Sequence, residues 1–151
     1  LAISRDDPGL MLGYLDADDA TAARYIGQWF RTGDIAEMRE DGAIRTLGRS
    51  DDQLNPGGFR VSPQEVEAAL AGIAGIDDLA ITEVSVKDGA RVLACIYTGP
   101  AALNQTQLAA EAATRLARYR QPRIWAHVTS LPRNANGKLN RRALPDLWSP
   151  E

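Results

Sequence analysis

One lysine near the end of the chain lies in a segment suited to chemistry on phosphates. Lys138 follows Gly137, with Asn134 and Asn136 just before it. Glycine and asparagine readily adopt the tight or left-handed backbone of turns, so this pattern predicts a lysine at the tip of a loop. A lysine is a mobile point charge that suits a phosphate or a carboxylate. A Gly-Lys turn alone is more often a solvated surface loop, so the functional interpretation depends on the residues upstream.

Two polar clusters upstream contain residue types that bind anions and hydroxyl groups. Arg31-Thr32-Gly33-Asp34 follows the apolar pair Trp29-Phe30, and Gly48-Arg49-Ser50-Asp51-Asp52 lies further along. The charged carboxylate of Asp34 would accept strong hydrogen bonds, and the planar guanidinium of Arg49 could bind an anion through two bonds. The second cluster is polar and has no hydrophobic periodicity, so we place a domain boundary there.

The segments around these clusters predict an α+β protein. Before the boundary, residues 1–49 are mostly β, with a strand at 1–4, a short helix at 20–25 that Asp18 or Asp19 could cap, and a hairpin at 35–47 around Asp41-Gly42. After it, the pattern predicts short strands at 53–55 and 59–61, a helix from the Ser62 capping box to Ala71, a hairpin at 79–98, a helix at 105–118, a strand at 124–128 and a short helix at 141–147. Residues 50–151 are therefore expected to form a small mixed sheet with helices packed on one side.

Composition and charge exclude several classes of protein. The chain has 151 residues, 44% of them hydrophobic and 25% charged, which argues against disorder. Its single cysteine, Cys95, allows no internal disulfide and fits a reducing cytoplasm, and no apolar run is long enough to span a bilayer. The net charge is −3, yet residues 115–142 hold eight basic side chains and no acidic one. This local basic segment favours an anionic ligand.

Four segments, in this order and at this spacing, closely resemble the C-terminal part of the adenylate-forming, AMP-binding enzymes. These enzymes include acyl- and aryl-CoA synthetases, peptide-synthetase adenylation domains and luciferases. The four segments are LMLGYL with Thr21, FRTGD, GRSDDQLNPGGFRVSPQEVE and PRNANGKLNRRAL. The resemblance covers essentially the whole chain. It implies that residues 1–49 are the incomplete β-rich end of the large N-terminal domain and that residues 50–151 are the mobile C-terminal domain.

The resemblance also implies roles for six residues. Lys138 resembles the catalytic lysine of the adenylation half-reaction, and Asp34 resembles the aspartate that binds the ribose hydroxyls. Arg49 and Arg60 resemble arginines near the ribose and the adenylate phosphate. Asp51 matches the hinge between the domains, and Gly58 the glycine beside the pantetheine tunnel. Asn55 stands where many relatives have lysine, although others have asparagine there too.

The implied function is that of an ATP-dependent acyl-CoA synthetase, an AMP-forming acid–thiol ligase. It would use ATP, coenzyme A and Mg²⁺, with the ATP and metal held mainly by an N-terminal domain that this sequence lacks. That domain, a small carboxylic acid, ATP and coenzyme A are the expected partners, with homodimer formation left open. No metal site in this chain, no membrane span and no nucleic acid are expected. Since the phosphate loop and the acyl pocket are missing here, we expect the 151 residues alone to be inactive.

Two alternatives stay open at this point. The chain could be a piece of a peptide-synthetase adenylation domain, in which case the acyl group would pass to a carrier protein. It could instead be a non-catalytic module that binds nucleic acid through the basic segment, where Tyr119 and Trp125 lie among the arginines and could stack on bases.

Overall fold

The chain forms two compact units in its computed structural model, which describes residues 1–149 apart from the side chain of Asp88. The first unit is Leu1–Asp51 and the second begins at Asp52. The division therefore falls inside the polar cluster at residues 48–52. None of the helices in residues 1–149 combines the length and the apolar character needed to cross a membrane.

The first unit consists of two small antiparallel sheets and one short helix. Its elements are β1 (Ala2–Ser4), α1 (Asp18–Ala22), β2 (Tyr25–Ile26), β3 (Trp29–Arg31), β4 (Asp34–Met38) and β5 (Ile44–Arg49). The first sheet has the order β1-β3-β2, while β4 and β5 form a two-stranded ribbon. Within residues 1–51, all of which the structure describes, Phe30 on β3 is the one buried core side chain. Tyr25 packs edge-on against it with ring centroids 5.3 Å apart.

The helix of this unit differs from the prediction, whereas the hairpin is confirmed. Helix α1 begins at Asp18, before the expected start, and its N-cap is Ala17 with no side-chain hydrogen bond, so neither aspartate caps it. Asp18 and Asp19 instead lie in the first turn, where negative charge favours the helix dipole. In the β4–β5 hairpin, Gly42 adopts the left-handed backbone (φ 81°) that the Asp-Gly signal requires.

The second unit contains a mixed three-stranded sheet and two helices. Its elements are α2 (Pro63–Leu70), β6 (Asp78–Ser85), β7 (Arg91–Thr98), α3 (Gln105–Arg115) and β8 (Ile124–His127). Strand β7 is central, antiparallel to β6 and parallel to β8, and α3 lies in the crossover between the parallel strands. This arrangement confirms the α+β class.

Both helices of the second unit begin at the side-chain caps that the sequence predicts. Ser62 Oγ accepts the Glu65 amide at 3.4 Å, ahead of Pro63 at the first helical position. Asn104 Oδ1 accepts the amides of Thr106 and Gln107 at 2.9 and 3.2 Å. Helix α3 ends at Arg115, three residues short of the predicted Arg118, because Leu116 turns to extended backbone.

The sheet is covered on both faces, although the sequence pattern predicted helices on one side only. Alternate residues of β7 point to opposite faces, so the run from Leu93 to Tyr97 is buried throughout. On one face they pack with side chains from α2 and α3, including Val66, Leu70 and Leu108. On the other face, Ala94 and Ile96 pack against Leu131 and Leu144 from the end of the chain. The segment that contains Lys138 is thus anchored on the sheet at both of its ends.

Two predicted elements are wrong. Residues 53–61 form no pair of strands, because a 3-10 turn at Pro56–Gly58 leaves a single bridge between Leu54 and Val61. The predicted helix at 141–147 is two 3-10 turns, Arg141–Ala143 and Pro145–Leu147. Pro145 lacks the amide that a continuous helix would need.

Candidate active site

The first group of candidate residues meets at the end of the β4–β5 ribbon. The register places Asp34 directly opposite Arg49. Arg49 Nη1 lies 3.6 Å from Asp34 Oδ1, and Arg49 Nε donates to Asp51 Oδ1 at 3.0 Å. This hydrogen bond from Arg49 lowers the pKa of the Asp51 carboxyl. Three predicted residues, Asp34, Arg49 and Asp51, are therefore brought together, with one guanidinium between two carboxylates.

Gly33 makes room for this group of charges. Its φ is 84°, and a Cβ there would lie 2.8 Å from Arg49 Nη2 and 3.1 Å from Arg24 Nη1. A side chain would therefore collide with the guanidinium as well as strain the backbone. Arg24 is a residue that sequence reasoning missed, because nothing in the ATAARYI segment distinguishes it from an ordinary surface arginine.

Asp34 itself is well placed to bind hydroxyl groups. Its side chain is 31% exposed, so a ligand can reach it, while its amide is held by Thr32 Oγ1 at 3.1 Å. Thr32 also contributes its carbonyl to Arg49 Nη1 at 3.2 Å. The RTGD motif is thus a compact turn in which Thr32 holds both the Asp34 amide and the Arg49 guanidinium.

Lys138 lies in a tight, exposed loop, as its flanking residues predict. An isolated bridge joins Arg133 to Leu139, and the Asn134 amide donates to the Lys138 carbonyl at 2.8 Å. The Asn134 side chain accepts the amides of Asn136 and Lys138, each at 3.0 Å. Gly137 has the left-handed backbone (φ 75°) that closes the turn. The lysine side chain therefore projects to the surface from a backbone that is hydrogen-bonded on both sides of it.

Two arginines flank the loop, and each is paired with an acid from elsewhere in the second unit. Arg133 Nη2 donates to Asp78 at the start of β6 at 2.7 Å, and its Nη1 donates to the Gly137 carbonyl at 3.0 Å. Arg141 binds both carboxylate oxygens of Glu67 on α2, at 2.7 and 2.8 Å. A bidentate guanidinium–carboxylate pair such as Arg141–Glu67 is strong and directional.

Glu67 lies on α2, but its side chain points into a network of contacts and not into solvent. Its side chain is only 17% exposed, and Oε1 also accepts the Ile81 amide at 2.8 Å. The hydrogen bonds that Arg141 donates to the Glu67 carboxylate raise the pKa of the Arg141 guanidinium. Asp52 lies 3.8 Å from Arg141 Nε on another side. Only the three-dimensional structure brings these residues together, since Glu67 and Arg141 are far apart in the sequence.

Gly58 and Arg60 lie in the exposed turn before α2, beside a groove. Gly58 has a left-handed backbone (φ 90°), and no atom would lie within 4 Å of a Cβ built there. The groove has a volume of about 480 Å³, and its lining includes Gly57, Phe59, Tyr119, Arg118 and Arg123. The rings of Phe59 and Tyr119 pack with centroids 5.1 Å apart. The groove therefore brings aromatic rings and guanidinium groups to one open surface.

Half of the eight basic side chains in residues 115–142 are paired with acids of their own unit. These four arginines make ion pairs with acidic residues: Arg115 with Glu111, Arg120 with Glu65, Arg133 with Asp78 and Arg141 with Glu67. Trp125, one of the two aromatic side chains considered for base stacking, is buried in the core. These contacts argue against a continuous surface for nucleic acid.

No group of three or more His, Cys, Asp or Glu residues in the described part of the chain could hold a metal ion. Two candidate residues, Asp34 and Asp51, carry carboxylates, and both of these lie beside the Arg49 guanidinium.

Comparison with solved structures identifies the class of protein that this fold represents. The chain superposes on the o-succinylbenzoate CoA synthetase of Bacillus subtilis, solved with its acyl-adenylate intermediate, with a TM-score of 0.83 and 27% identity. The match covers 91% of this chain and 28% of that protein. MatB of Rhodopseudomonas palustris, solved with ATP, matches with a TM-score of 0.80 and 26% identity over 92% of this chain and 28% of its own. The chain is homologous to the C-terminal part of the adenylate-forming enzymes.

The relatives in sequence include both a CoA ligase and a peptide synthetase. The chain is 32% identical over 140 residues to 2-succinylbenzoate–CoA ligase of Bacillus velezensis, covering 93% of this chain and 29% of that ligase. It is 33% identical over 145 residues to a dimodular nonribosomal peptide synthase of Bacillus subtilis, covering 91% of this chain and 6% of that protein. The chain thus spans less than a third of the length of these relatives. No protein-family model matches it.

Proposed function

We propose that this chain acts as the C-terminal part of an ATP-dependent acyl-CoA synthetase, in which Lys138 serves the adenylation half-reaction. The observation that supports this best is the exposed lysine on a loop fixed by Asn134, within the fold of a CoA synthetase. In this half-reaction a carboxylate oxygen of the acid attacks the α-phosphorus of ATP, and pyrophosphate leaves with the electron pair of the broken P–O bond. Lys138 would stabilise the negative charge that builds up between these groups.

The group around Arg49 would hold the nucleotide. Asp34 would accept hydrogen bonds from two ribose hydroxyls. Arg49 and Arg60 would lie near the phosphate of the adenylate. Asp51 would be the hinge between the two units. These assignments follow the family resemblance, and the exposed, pre-oriented carboxylate of Asp34 supports them.

In the second half-reaction, a thiol would attack the acyl carbon and AMP would leave with the electron pair of the C–O bond. We propose coenzyme A as this thiol, since Arg118 and Arg123 line an open groove near Gly58 and could meet its phosphates. Glycine at position 58 would let the pantetheine arm pass close to the backbone. A carrier protein, as in the peptide synthetases, is the alternative acceptor.

ATP, the acid and Mg²⁺ would be held mainly by an N-terminal domain, which is the main expected partner of this chain. We also propose a cytoplasmic location, which suits the unpaired, buried thiol of Cys95. Homodimer formation stays a prediction.

A chimeric enzyme tests the role of Lys138. This chain would replace the matching segment of the Bacillus subtilis o-succinylbenzoate CoA synthetase, and acid-dependent ATP–pyrophosphate exchange would be measured. We expect Lys138→Ala to lower the exchange rate by about 10²–10³-fold, the usual cost of losing one contact to developing charge. Lys87→Ala, at the only other lysine of the chain, is the matched control.

An unchanged exchange rate in Lys138→Ala would refute the assignment. The isolated 151 residues should show no exchange with any acid. Clear activity there would contradict the proposal that an N-terminal domain holds ATP and the acid. Binding of coenzyme A to the isolated chain, weakened by Arg123→Gln and unchanged by Arg39→Gln, would distinguish a coenzyme A acceptor from a carrier protein.

A further inference from the structure

The loop that contains Lys138 is held at both ends by arginine–carboxylate pairs whose acids lie outside the loop. Arg133 precedes the turn and reaches Asp78 at 2.7 Å, while Arg141 follows it and reaches Glu67 at 2.7 and 2.8 Å. Both acids belong to the regular elements of the second unit, since Asp78 begins β6 and Glu67 lies on α2. The loop is therefore tied to the scaffold beyond what its own turn requires.

Arg133 is connected directly to the tip of the loop. While Nη2 contacts Asp78, Nη1 donates to the carbonyl of Gly137 at 3.0 Å, one residue before the lysine. One planar guanidinium thus joins the first residue of β6 to the backbone beside Lys138. A lysine side chain could replace it only in part, because an ammonium lacks the planar two-pronged geometry of a guanidinium.

The two arginine–carboxylate pairs differ in how exposed they are, and therefore in how much each can contribute to the stability of the fold. The Arg133 and Asp78 side chains are 51% and 48% exposed, and exposed pairs contribute little to folding. The Arg141–Glu67 pair is much more buried, at 23% and 17% exposed, and has an evident structural role. If the Arg133 contact has a function, that function lies in fixing the loop.

We propose that Arg133, oriented by Asp78, is a positioning residue that fixes the Lys138 loop for the adenylation half-reaction, and that Glu67 with Arg141 secures the other end. This inference rests on the proposed role of Lys138. It predicts that the loop loses rigidity, and the adenylation step loses rate, when the Arg133 contact is removed. Because the proposed role of Lys138 belongs to the first half-reaction, formation of the thioester from a preformed acyl-adenylate should be unaffected.

The first experiment measures the loop in the 151-residue chain itself. Amide ¹⁵N relaxation would compare the wild type with Arg133→Gln and Asp78→Asn, and Glu111→Gln would be the matched control. Glu111 forms an exposed pair with Arg115 on α3, at 3.3 Å, away from the lysine loop. We expect the order parameters of Gly137 and Lys138 to fall from about 0.85, typical of rigid backbone, toward about 0.6 in the two loop variants and to stay unchanged in the control.

The second experiment measures each half-reaction in the chimeric synthetase. Because small misplacements of a reacting group can be costly, we expect Arg133→Gln to lower the rate of ATP–pyrophosphate exchange by about 10-fold or more, with little change in KM for ATP. Arg133→Lys should fall between the wild type and Arg133→Gln. The melting temperature of each variant should stay within about 3 °C of the wild type, as expected for an exposed pair.

The outcomes separate the two proposals. Unchanged order parameters, or an equal loss of rate in both half-reactions, would overturn the positioning role while leaving the assignment of Lys138 intact. If the loop becomes mobile but Lys138→Ala itself leaves exchange unchanged, the proposed role of Lys138 fails and the restraint on the loop remains. Mobility in the loop variants together with a selective loss of exchange supports both.

Discussion

Arg49 shows at the scale of single residues how one guanidinium can organise two carboxylates. It contacts Asp51 at 3.0 Å and lies 3.6 Å from Asp34. Sharing a guanidinium between two acids orients both carboxylates while leaving the 31% exposed Asp34 side chain accessible. Asp34 is thus oriented by Arg49, which the strand register places directly opposite it.

The pKa of Asp51 gives a direct prediction. Folding lowers this pKa from its ordinary value of 3.8, chiefly through the hydrogen bond from Arg49. The contact therefore stabilises the first unit at pH values above 3.8, and this stabilisation is lost as the pH falls through the lower folded-state pKa. In Arg49→Gln, we expect the Asp51 side-chain carbon resonance to titrate nearer the ordinary value.

Arg45→Gln, on an exposed part of β5, is the control for that titration. An Asp51 pKa that is the same in the wild type and in Arg49→Gln would show that the Arg49 contact does not hold in solution.

At the scale of elements, helix α2 shows how the residue at which a helix begins determines which of its side chains reach distant partners. Its cap and proline place Val66 and Leu70 in the core, and the same register turns Glu67 toward Arg141. A shift of one residue would rotate this carboxylate away from its partner. The position of the lysine loop therefore depends on the residue that caps α2.

We expect Ser62→Ala to reduce the free energy of unfolding of the second unit by about 1 kcal/mol, the usual value of an N-cap. Ser130→Ala, at an exposed loop position, is the control and should change it little. Urea denaturation followed by far-UV circular dichroism measures both. Equal stabilities for the two variants would mean that the Ser62 hydroxyl does not act as the cap.

The elements that the sequence predicts well are those with strong local signals. Side-chain caps, the Asp-Gly turns and the β-branched runs of β6 and β7 locate α2, α3 and both hairpins, since their causes lie within a few residues. The turns after Asn140 and around Pro56 differ from the prediction because glycine and proline there override short apolar patterns. The Glu67–Arg141 and Asp78–Arg133 pairs could not be predicted, because they depend on how distant segments pack.

At the scale of the whole molecule, the two units differ greatly in how much core they have. Among the described residues, the first unit has Phe30 as its one buried core side chain, whereas the second buries residues on both faces of its sheet. Since hydrophobic burial is the main stabilising term, the first unit should be much less stable in this chain. Large exposed apolar side chains on it, including Leu12 and Leu15, add no stability of their own.

Hydrogen exchange followed by mass spectrometry tests this difference. We expect the amides of β1 to β5 to exchange well before those of the central strand β7, which serves as the internal reference, because local opening follows local core content. Equal protection of the two units would mean that they unfold as one and that the small core of the first is not limiting.

The central position of β7 also sets an order of assembly. Strands β6 and β7 are joined by a short turn, so Ser85 and Arg91 can pair early and with little loss of chain entropy. The other edge of β7 must wait for β8, because Ala94 and Ile124 pair only after all of α3 has crossed over. During synthesis, a strand rich in valine, leucine and isoleucine is thus left with an open edge until the last strand arrives. This interval is when β7 is most exposed to wrong strand pairing.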